Sequence, residues 1–150
     1  MHFRKATKKD ISDVVKMLAD DDLGAKREKY SNPLPQTYLD AFDAIDSDPN
    51  QELIVVENDD QEILGTFQLS FLQYLTYQGG VRAQIEAVRI RKDQRGKGIG
   101  KQMFEWAINR AQQKGAHVLQ LTSNKERLKA ILFYKNLGFV DSHEGMKLHL

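Results

Sequence analysis

The stretch Arg91-Lys92-Asp93-Gln94-Arg95-Gly96-Lys97-Gly98-Ile99-Gly100-Lys101 decides how the rest of the chain is interpreted. A run with the pattern of a strand, residues 83–90, precedes it, and a long amphipathic helix follows it. Three glycines at alternate positions let the backbone approach a ligand closely. A helix start leaves its first N–H groups unpaired and partially positive, which favours phosphate. The stretch therefore predicts a phosphate-binding loop; the alternative is a glycine-rich turn with no ligand.

The spacing of the glycines distinguishes between the known classes of phosphate-binding loop. A dinucleotide-binding fingerprint needs a glycine three residues after Gly98, where this chain has Lys101. A P-loop needs Gly-Lys-Ser/Thr, which is also absent. The pattern that fits is Arg-x-x-Gly-x-Gly, at Arg95, Gly98 and Gly100. Together with Lys97 and Lys101, Arg95 adds positive charge beside the loop.

The composition indicates an ordinary globular chain. Its 150 residues suit a single domain, 1–150, and are 41% hydrophobic and 29% charged. The absence of cysteine excludes disulfides and a cysteine nucleophile. The net charge of +1 argues against general binding to nucleic acid or to a membrane surface. Because no stretch has the pattern of a secretory signal or of a bilayer-spanning helix, we expect a cytoplasmic protein.

Hydrophobic periodicity and turn residues predict an α+β chain in the order βααβββαβαββ, layered α/β/α, with about seven strands and four helices. Asp10 is the expected N-cap of the first helix. The last helix is apolar almost all round, so we expect it to be largely buried. The predicted strands are 2–6, 53–56, 63–74, 83–90, 117–122, 139–140 and 146–150, and the predicted helices are 10–20, 35–45, 98–114 and 125–136.

A second motif, Phe133-Tyr134-Lys135-Asn136-Leu137-Gly138-Phe139, lies near the end of the chain. With the Arg95–Gly100 motif and the order of elements, it resembles the GCN5-related N-acetyltransferase (GNAT) superfamily from end to end. The resemblance implies a mixed, largely antiparallel sheet that splays at its middle. Acyl-CoA would enter between the glycine-loop strand and the strand at 117–122, with its pyrophosphate on the backbone amides of the loop.

Acetyl transfer from a thioester to an amine needs a neutral amine, donors for the oxyanion and a proton for the leaving thiolate. Glu86 is the candidate base, and simple alternation puts it on one strand face with Val88 and Ile90. An acid on this strand is the base in several family members that the chain resembles. The alternative is a structural salt bridge with one of three arginines: Arg82, Arg89 or Arg127.

Tyr134 is the candidate proton donor. A helix over 125–136 would place it on one stripe with Ala130 and Arg127. The resemblance implies that this tyrosine lies near the thioester sulfur as the general acid. The alternative is a core tyrosine whose hydroxyl bonds to backbone.

The resemblance also implies the remaining cofactor contacts. The backbone N–H of Val88, or of a near neighbour past a bulge, would polarise the thioester carbonyl. Many relatives have an asparagine seven residues before the tyrosine; this chain has Arg127, and Asn124 is the alternative. The pattern Thr122-Ser123-Asn124 looks similar to that of small-amine and aminoalkylphosphonate acetyltransferases. The expected cofactor-binding residues are Val88, Arg89, Ile90, Arg95, Gly96, Lys97, Gly98, Ile99, Gly100, Lys101, Asn124, Arg127, Ala130 and Phe133.

The candidate acceptor-binding residues are Tyr30, Tyr38, Gln73 and Tyr74, which could equally be packing residues. The four histidines show no metal-ligand spacing, so we expect no metal. The leading hypothesis is an acetyl-CoA-dependent N-acetyltransferase that moves an acetyl group directly to a primary amine of a small molecule. The alternatives are a non-catalytic acyl-CoA-binding or regulatory domain, a protein (N-terminal or lysine) acetyltransferase, and a nucleotide-binding module. Whether the chain forms a homodimer stays open.

Overall fold

The computed structural model describes the whole chain, Met1–Leu150, whose contacts divide it into two compact units, 1–120 and 121–150. The first unit contains a five-stranded sheet in which spatial order follows chain order. The first four strands are antiparallel, and the fifth runs parallel to the fourth. This confirms the α+β class and the mixed, mostly antiparallel sheet. The strands are β1 His2–Lys5, β2 Gln51–Glu57, β3 Ile63–Gln73, β4 Val81–Ile90 and β5 Ala116–Gln120.

The helices of this unit include three of the four that were predicted. They are α1 Ile11–Leu18, α2 Gly24–Arg27, α3 Gln36–Ser47, α4 Thr76–Gly79 and α5 Ile99–Gln113, with short 3-10 helices at Lys8–Asp10 and Lys92–Gln94. The one-turn segments α2 and α4 were not predicted, because one turn is too short to show a hydrophobic period. Segment α4 has left-handed backbone at Tyr77 and Gln78, with φ of 53° and 57°.

Asp10 occupies the N-cap position of α1, as predicted, but its side chain makes no capping hydrogen bond to that helix. Its backbone is already helical (φ −80°, ψ −16°), and its carboxylate accepts hydrogen bonds from the N–H and hydroxyl of Thr7 at 2.7 and 2.9 Å. The guanidinium of Arg4 donates to the same carboxylate at 2.7 Å. Burial by itself would raise the pKa of Asp10, but the bonds from Arg4 and Thr7 outweigh it and lower that pKa. The residue therefore ties β1 to the start of α1.

The sheet buries both of its faces because successive side chains of a strand point to opposite sides. One face packs against α1 and α3. The buried cluster on that side is Ala6, Ile11, Val14, Val15, Met17, Phe42, Val55 and Ile63. On the other face Trp106 of α5 stacks on Phe3 with centroids 5.5 Å apart and meets the edge of Phe67 at 5.8 Å. The expected layers, helices on both sides of one sheet, are present.

The second unit contains one helix, α6 Leu128–Asn136. It begins three residues after the predicted start, and Arg127 is its N-cap. The prediction that this helix is largely buried is wrong, since it has no buried residue and Leu128 is 73% exposed. The predicted strands 139–140 and 146–150 do not form. An alternating pattern shows which residues would share a face, but a strand also needs a partner ladder, and this segment has none.

Candidate active site

Strands β4 and β5 separate partway along their length. Their parallel pairing covers only residues 81–84 of β4, ending at Gln84 opposite Gln120. Residues 85–90 therefore have no partner strand on that side. This is the splayed sheet that the family resemblance implied, and it leaves one edge of β4 available for hydrogen bonds from an extended ligand.

A β-bulge lies in the same part of β4. Glu86 pairs with Gln68 and Arg89 with Thr66, so two residues of β4 stand opposite one of β3. Within the bulge Ala87 has left-handed backbone, with φ of 54°. The extra residue reverses the alternation beyond it. Glu86 therefore shares a face with Arg89, and the prediction that it shares one with Val88 and Ile90 is wrong.

The side chain of Glu86 is exposed and accepts a hydrogen bond from Gln84 at 2.7 Å. It forms no ion pair, so the predicted alternative of a structural salt bridge with a nearby arginine is not observed. Its carboxylate lies on the exposed part of the strand, next to the bulge. This position leaves it open to solvent and to a ligand.

The glycine loop presents a row of unused backbone donors. None of the N–H groups of residues 96–101 donates to a protein acceptor, and the first helical bond is from Gln102 to the carbonyl of Gly98 at 3.4 Å. The amide of Arg95 differs, because it donates to the carbonyl of Lys92 at 3.5 Å. These free donors point out of the start of α5, where the helix dipole adds positive potential. They can bind a diphosphate.

Glycine is required in this loop by its backbone angles rather than by crowding. Gly96 and Gly98 have φ of 77° and 79°, which other residues adopt only with strain. A Cβ built at either position would meet no heavy atom within 4 Å. The space beside both residues is therefore open, and a ligand can approach the backbone closely.

The basic side chains around the loop are partly engaged by the protein itself. Lys97 donates to the side chain of Gln94 at 3.1 Å, and Lys101 lies 3.8 Å from Glu105. Arg91 donates to Asp93 at 2.8 Å, and this bond, followed by one from Gln94, lowers the pKa of Asp93 to about 2. The loop is thus braced by short-range contacts before any ligand arrives.

Two arginines near the loop pair with consecutive aspartates that follow α1. Arg95 donates to Asp20 at 3.3 Å and to the carbonyl of Ile90 at 3.1 Å. Arg89 lies 3.4 Å from Asp21 and donates to the carbonyl of Val88 at 2.9 Å. Sequence analysis placed both arginines at the cofactor but missed their acidic partners, because no local pattern connects residues about 70 positions apart.

In the second unit the structure places the remaining candidates around α6. The side chain of Asn124 accepts the N–H of Glu126 at 2.9 Å, so it caps the turn before the helix. Arg127 precedes the helix instead of lying on a stripe within it, and Ala130 and Phe133 lie inside it. The Tyr134 ring packs edge-on against Phe133 and Phe139, at centroid distances of 5.6 and 6.2 Å.

The four candidate acceptor-binding residues lie in the first unit. The hydroxyl of Tyr38 donates to Glu28 at 3.0 Å and accepts the N–H of Lys29 at 2.9 Å. Gln73 donates to the carbonyls of Tyr74 and Gly79 at 3.1 and 2.7 Å and so closes the β3–β4 turn. The guanidinium of Arg82 lies 4.9 Å from the centroid of the Tyr74 ring. Tyr30 is 44% exposed.

Residues 17–139 match the model of the Acetyltransferase (GNAT) family. The chain belongs to this family. It is an acetyltransferase, because the family match is supported by a 30% identical N-acetyltransferase relative. No helix of this GNAT protein is both long enough and apolar enough to cross a membrane.

Three relatives illustrate the range of similarity to this GNAT chain. An aminoalkylphosphonate N-acetyltransferase of Salmonella typhimurium is 30% identical over 109 residues, which is 72% of this chain and 69% of the relative. A crystal structure described as a transcriptional regulator from Bacillus halodurans C-125 is 52% identical, with a TM-score of 0.95 and 99% of each chain covered. A structure described as a predicted acetyltransferase with acetyl-CoA from Clostridium acetobutylicum is 24% identical, with a TM-score of 0.76, and the match covers 99% of this chain and 95% of that one.

Proposed function

We propose that this acetyltransferase uses acetyl-CoA and transfers the acetyl group directly to a primary amine of a small molecule. The observation that carries the proposal is the row of unused N–H groups at residues 96–101, at the start of α5. A diphosphate is the part of acetyl-CoA that such a row binds well, because it can accept several hydrogen bonds from a helix start.

The cofactor arm would continue along the unpaired edge of β4. Residues 85–90 offer backbone groups to an extended pantetheine, as an added strand would. The bulge at Ala87 changes the direction of those groups, and the N–H of Val88 or a neighbour would then face the thioester carbonyl. Hydrogen bonds from fixed backbone donors stabilise the oxyanion that develops in acyl transfer.

Acetyl-CoA, when bound, supplies the acetyl group as a thioester. Attack by the amine nitrogen forms a C–N bond to the carbonyl carbon, and the C–S bond then breaks. Glu86 would take the proton that the amine loses, directly or through water, because its carboxylate is exposed beside the bulge. Tyr134 would give a proton to the departing thiolate, and for this residue the support is the resemblance of residues 133–139 to the family motif.

The acceptor class follows from the relatives rather than from a cavity. The Salmonella relative is named for aminoalkylphosphonates, which are small primary amines. A second candidate is a regulatory role for this acetyltransferase, because the Bacillus halodurans structure is described as a transcriptional regulator. In that case the small amines of a test panel would not be its acceptors.

The test is thiol release from acetyl-CoA over a panel of amines that includes aminomethylphosphonate and polyamines, together with calorimetric binding of acetyl-CoA. We expect release with at least one small amine. Tyr134→Phe should lower kcat by about 100-fold, the lower end of the range for a general acid, with little change in acetyl-CoA binding. Leu132→Ala, at a 60% exposed position of the same helix, is the control. Binding without release on any amine would favour the regulatory candidate, and no binding would refute both.

A further inference from the structure

The ion pair between Asp20 and Arg95 joins the segment after α1 to the first residue of the glycine motif. The Asp20 carboxylate lies 3.3 Å from Nη2 of Arg95, and the Nε of Arg95 donates to the carbonyl of Ile90 at 3.1 Å. Both side chains of the pair are partly solvent-exposed, at 38% and 44%. The guanidinium of Arg95, which lies directly beside the free amides of residues 96–101, is therefore already paired with the carboxylate of Asp20.

The neighbouring ion pair, between Asp21 and Arg89, is of a different kind. The Arg89 side chain is only 13% exposed and also donates to the carbonyl of Val88. The Asp21 carboxylate accepts the N–H of Gly24 at 2.5 Å, which holds the turn leading into α2. This pair is built into the packing of the segment. Of the two aspartates, only Asp20 holds an arginine that a ligand on the loop could take over.

We propose that Asp20 is a built-in competitor of the cofactor diphosphate for Arg95. Its carboxylate pairs with the guanidinium when the loop is empty, and it is displaced when a diphosphate binds to the loop amides. Arg95 then exchanges a single carboxylate for a doubly charged group held by several N–H donors. The inference rests on the proposed function, because it needs a diphosphate at this loop.

The exchange is favourable because the diphosphate interacts more strongly with Arg95 and the loop than the Asp20 carboxylate does. An exposed arginine–carboxylate pair contributes little, since each partner is well solvated alone. A diphosphate that also accepts backbone hydrogen bonds at a helix start binds more strongly. The displaced Asp20 still lowers the affinity, because its pair with Arg95 must first be broken. Removing that carboxylate should therefore tighten cofactor binding by about two- to fivefold.

The variant that tests this is Asp20→Asn, and its matched control is Asp22→Asn. Asp22 lies in the same segment, is exposed and forms no ion pair, so both variants remove one negative charge from nearly the same place. Dissociation constants would be measured by calorimetry with three probes: CoA, dephospho-CoA, which keeps the diphosphate, and pantetheine, which has no phosphate. Thermal melting of each variant confirms that it is folded.

We expect Asp20→Asn to bind CoA and dephospho-CoA two- to fivefold more tightly than Asp22→Asn, and to bind pantetheine no better. In an Arg95→Gln background the advantage of Asp20→Asn should disappear. The inference is overturned if Asp20→Asn and Asp22→Asn bind CoA equally, if the gain persists with pantetheine, or if it survives in Arg95→Gln. Failure of the proposed function has a different result, since none of the variants nor the wild-type protein would then bind CoA.

Discussion

Left-handed backbone lies on both sides of strand β4, but the N–H groups on the two sides differ in their hydrogen bonding. Before the strand, residues 77–79 are left-handed, and the N–H groups of Gly79 and Gly80 donate to the carbonyls of Leu75 and Thr76 at 3.0 Å each. After the strand, Gly96 and Gly98 are left-handed, and the N–H groups of residues 96–101 have no protein acceptor. The first turn is closed, because its N–H groups bond within the turn; the second is open, because its N–H groups have no protein acceptor.

The difference shows why left-handed backbone by itself does not identify a site. Backbone N–H groups must bond to something, whether protein, water or ligand. At the β3–β4 turn the side chain of Gln73 supplements the backbone bonds, and Tyr77 stacks on His117 with centroids 4.6 Å apart. At the glycine loop the start of the helix leaves N–H donors without a protein acceptor, and positive charge lies nearby. Only the second arrangement has hydrogen bonds to offer a ligand.

The sharpest test of this comparison is valine at one glycine of each turn. Gly98→Val should weaken acetyl-CoA binding by about tenfold or more, because a β-branched residue at φ 79° distorts the amide row. Gly79→Val meets a nearly identical φ of 78° and should cost about 1–2 kcal/mol of unfolding free energy with unchanged binding. Calorimetry and urea unfolding measure the two quantities. Equal losses of affinity in both variants would show that the open amides do not matter.

The bulge between the two ends gives a second test. Ala87 has φ of 54°, where a β-branched side chain fits worse than a methyl group, so Ala87→Val should reduce the unfolding free energy by about 1 kcal/mol. Ala87→Gly tolerates the same angle and should leave stability within about 1 kcal/mol of wild type. If the bulge aims backbone groups at the thioester, Ala87→Val also lowers kcat/KM for acetyl-CoA while Ala87→Gly does not. A valine variant with full stability and activity would contradict the role of this angle.

The smallest expected effect is a gain at the closed turn. Gln78 has φ of 57° and lies at an exposed position, where glycine would adopt the same angle without strain. Gln78→Gly should therefore raise the unfolding free energy by about 0.5–1 kcal/mol, with no change in acetyl-CoA affinity. Chemical unfolding measures the first effect and calorimetry the second. A change in affinity would mean that the two turns are coupled.

Much of the fold was predictable because its signals are local. Helix α5 begins within one residue of the predicted start, since a glycine loop and a clear apolar stripe mark it. The hairpin between β2 and β3 was predicted from the polar turn that joins two apolar runs. The errors lie at the end of the chain, where the burial of α6 and the strands 139–140 and 146–150 depended on long-range partners. Local pattern contains no information about such partners.

The candidate site shows the same division. The glycine loop was predicted correctly as a strand–helix junction, because its residue types and spacing restrict the backbone directly. The face of Glu86 was predicted wrongly, because one bulged residue reverses the alternation and nothing in the local sequence marks it. The partner of Arg95 could not be predicted either, since Asp20 is 75 residues away.

The sequence by itself determined the order of the main elements from β1 to α6, the strand–helix junction at the glycine loop and the family resemblance. These depend on glycine positions, hydrophobic period and charge, which act over a few residues. Only the tertiary structure decided where β4 parts from β5, which face carries Glu86 and which carboxylate holds Arg95. Those features depend on strand register and on contacts between distant segments, which the folded chain alone brings together.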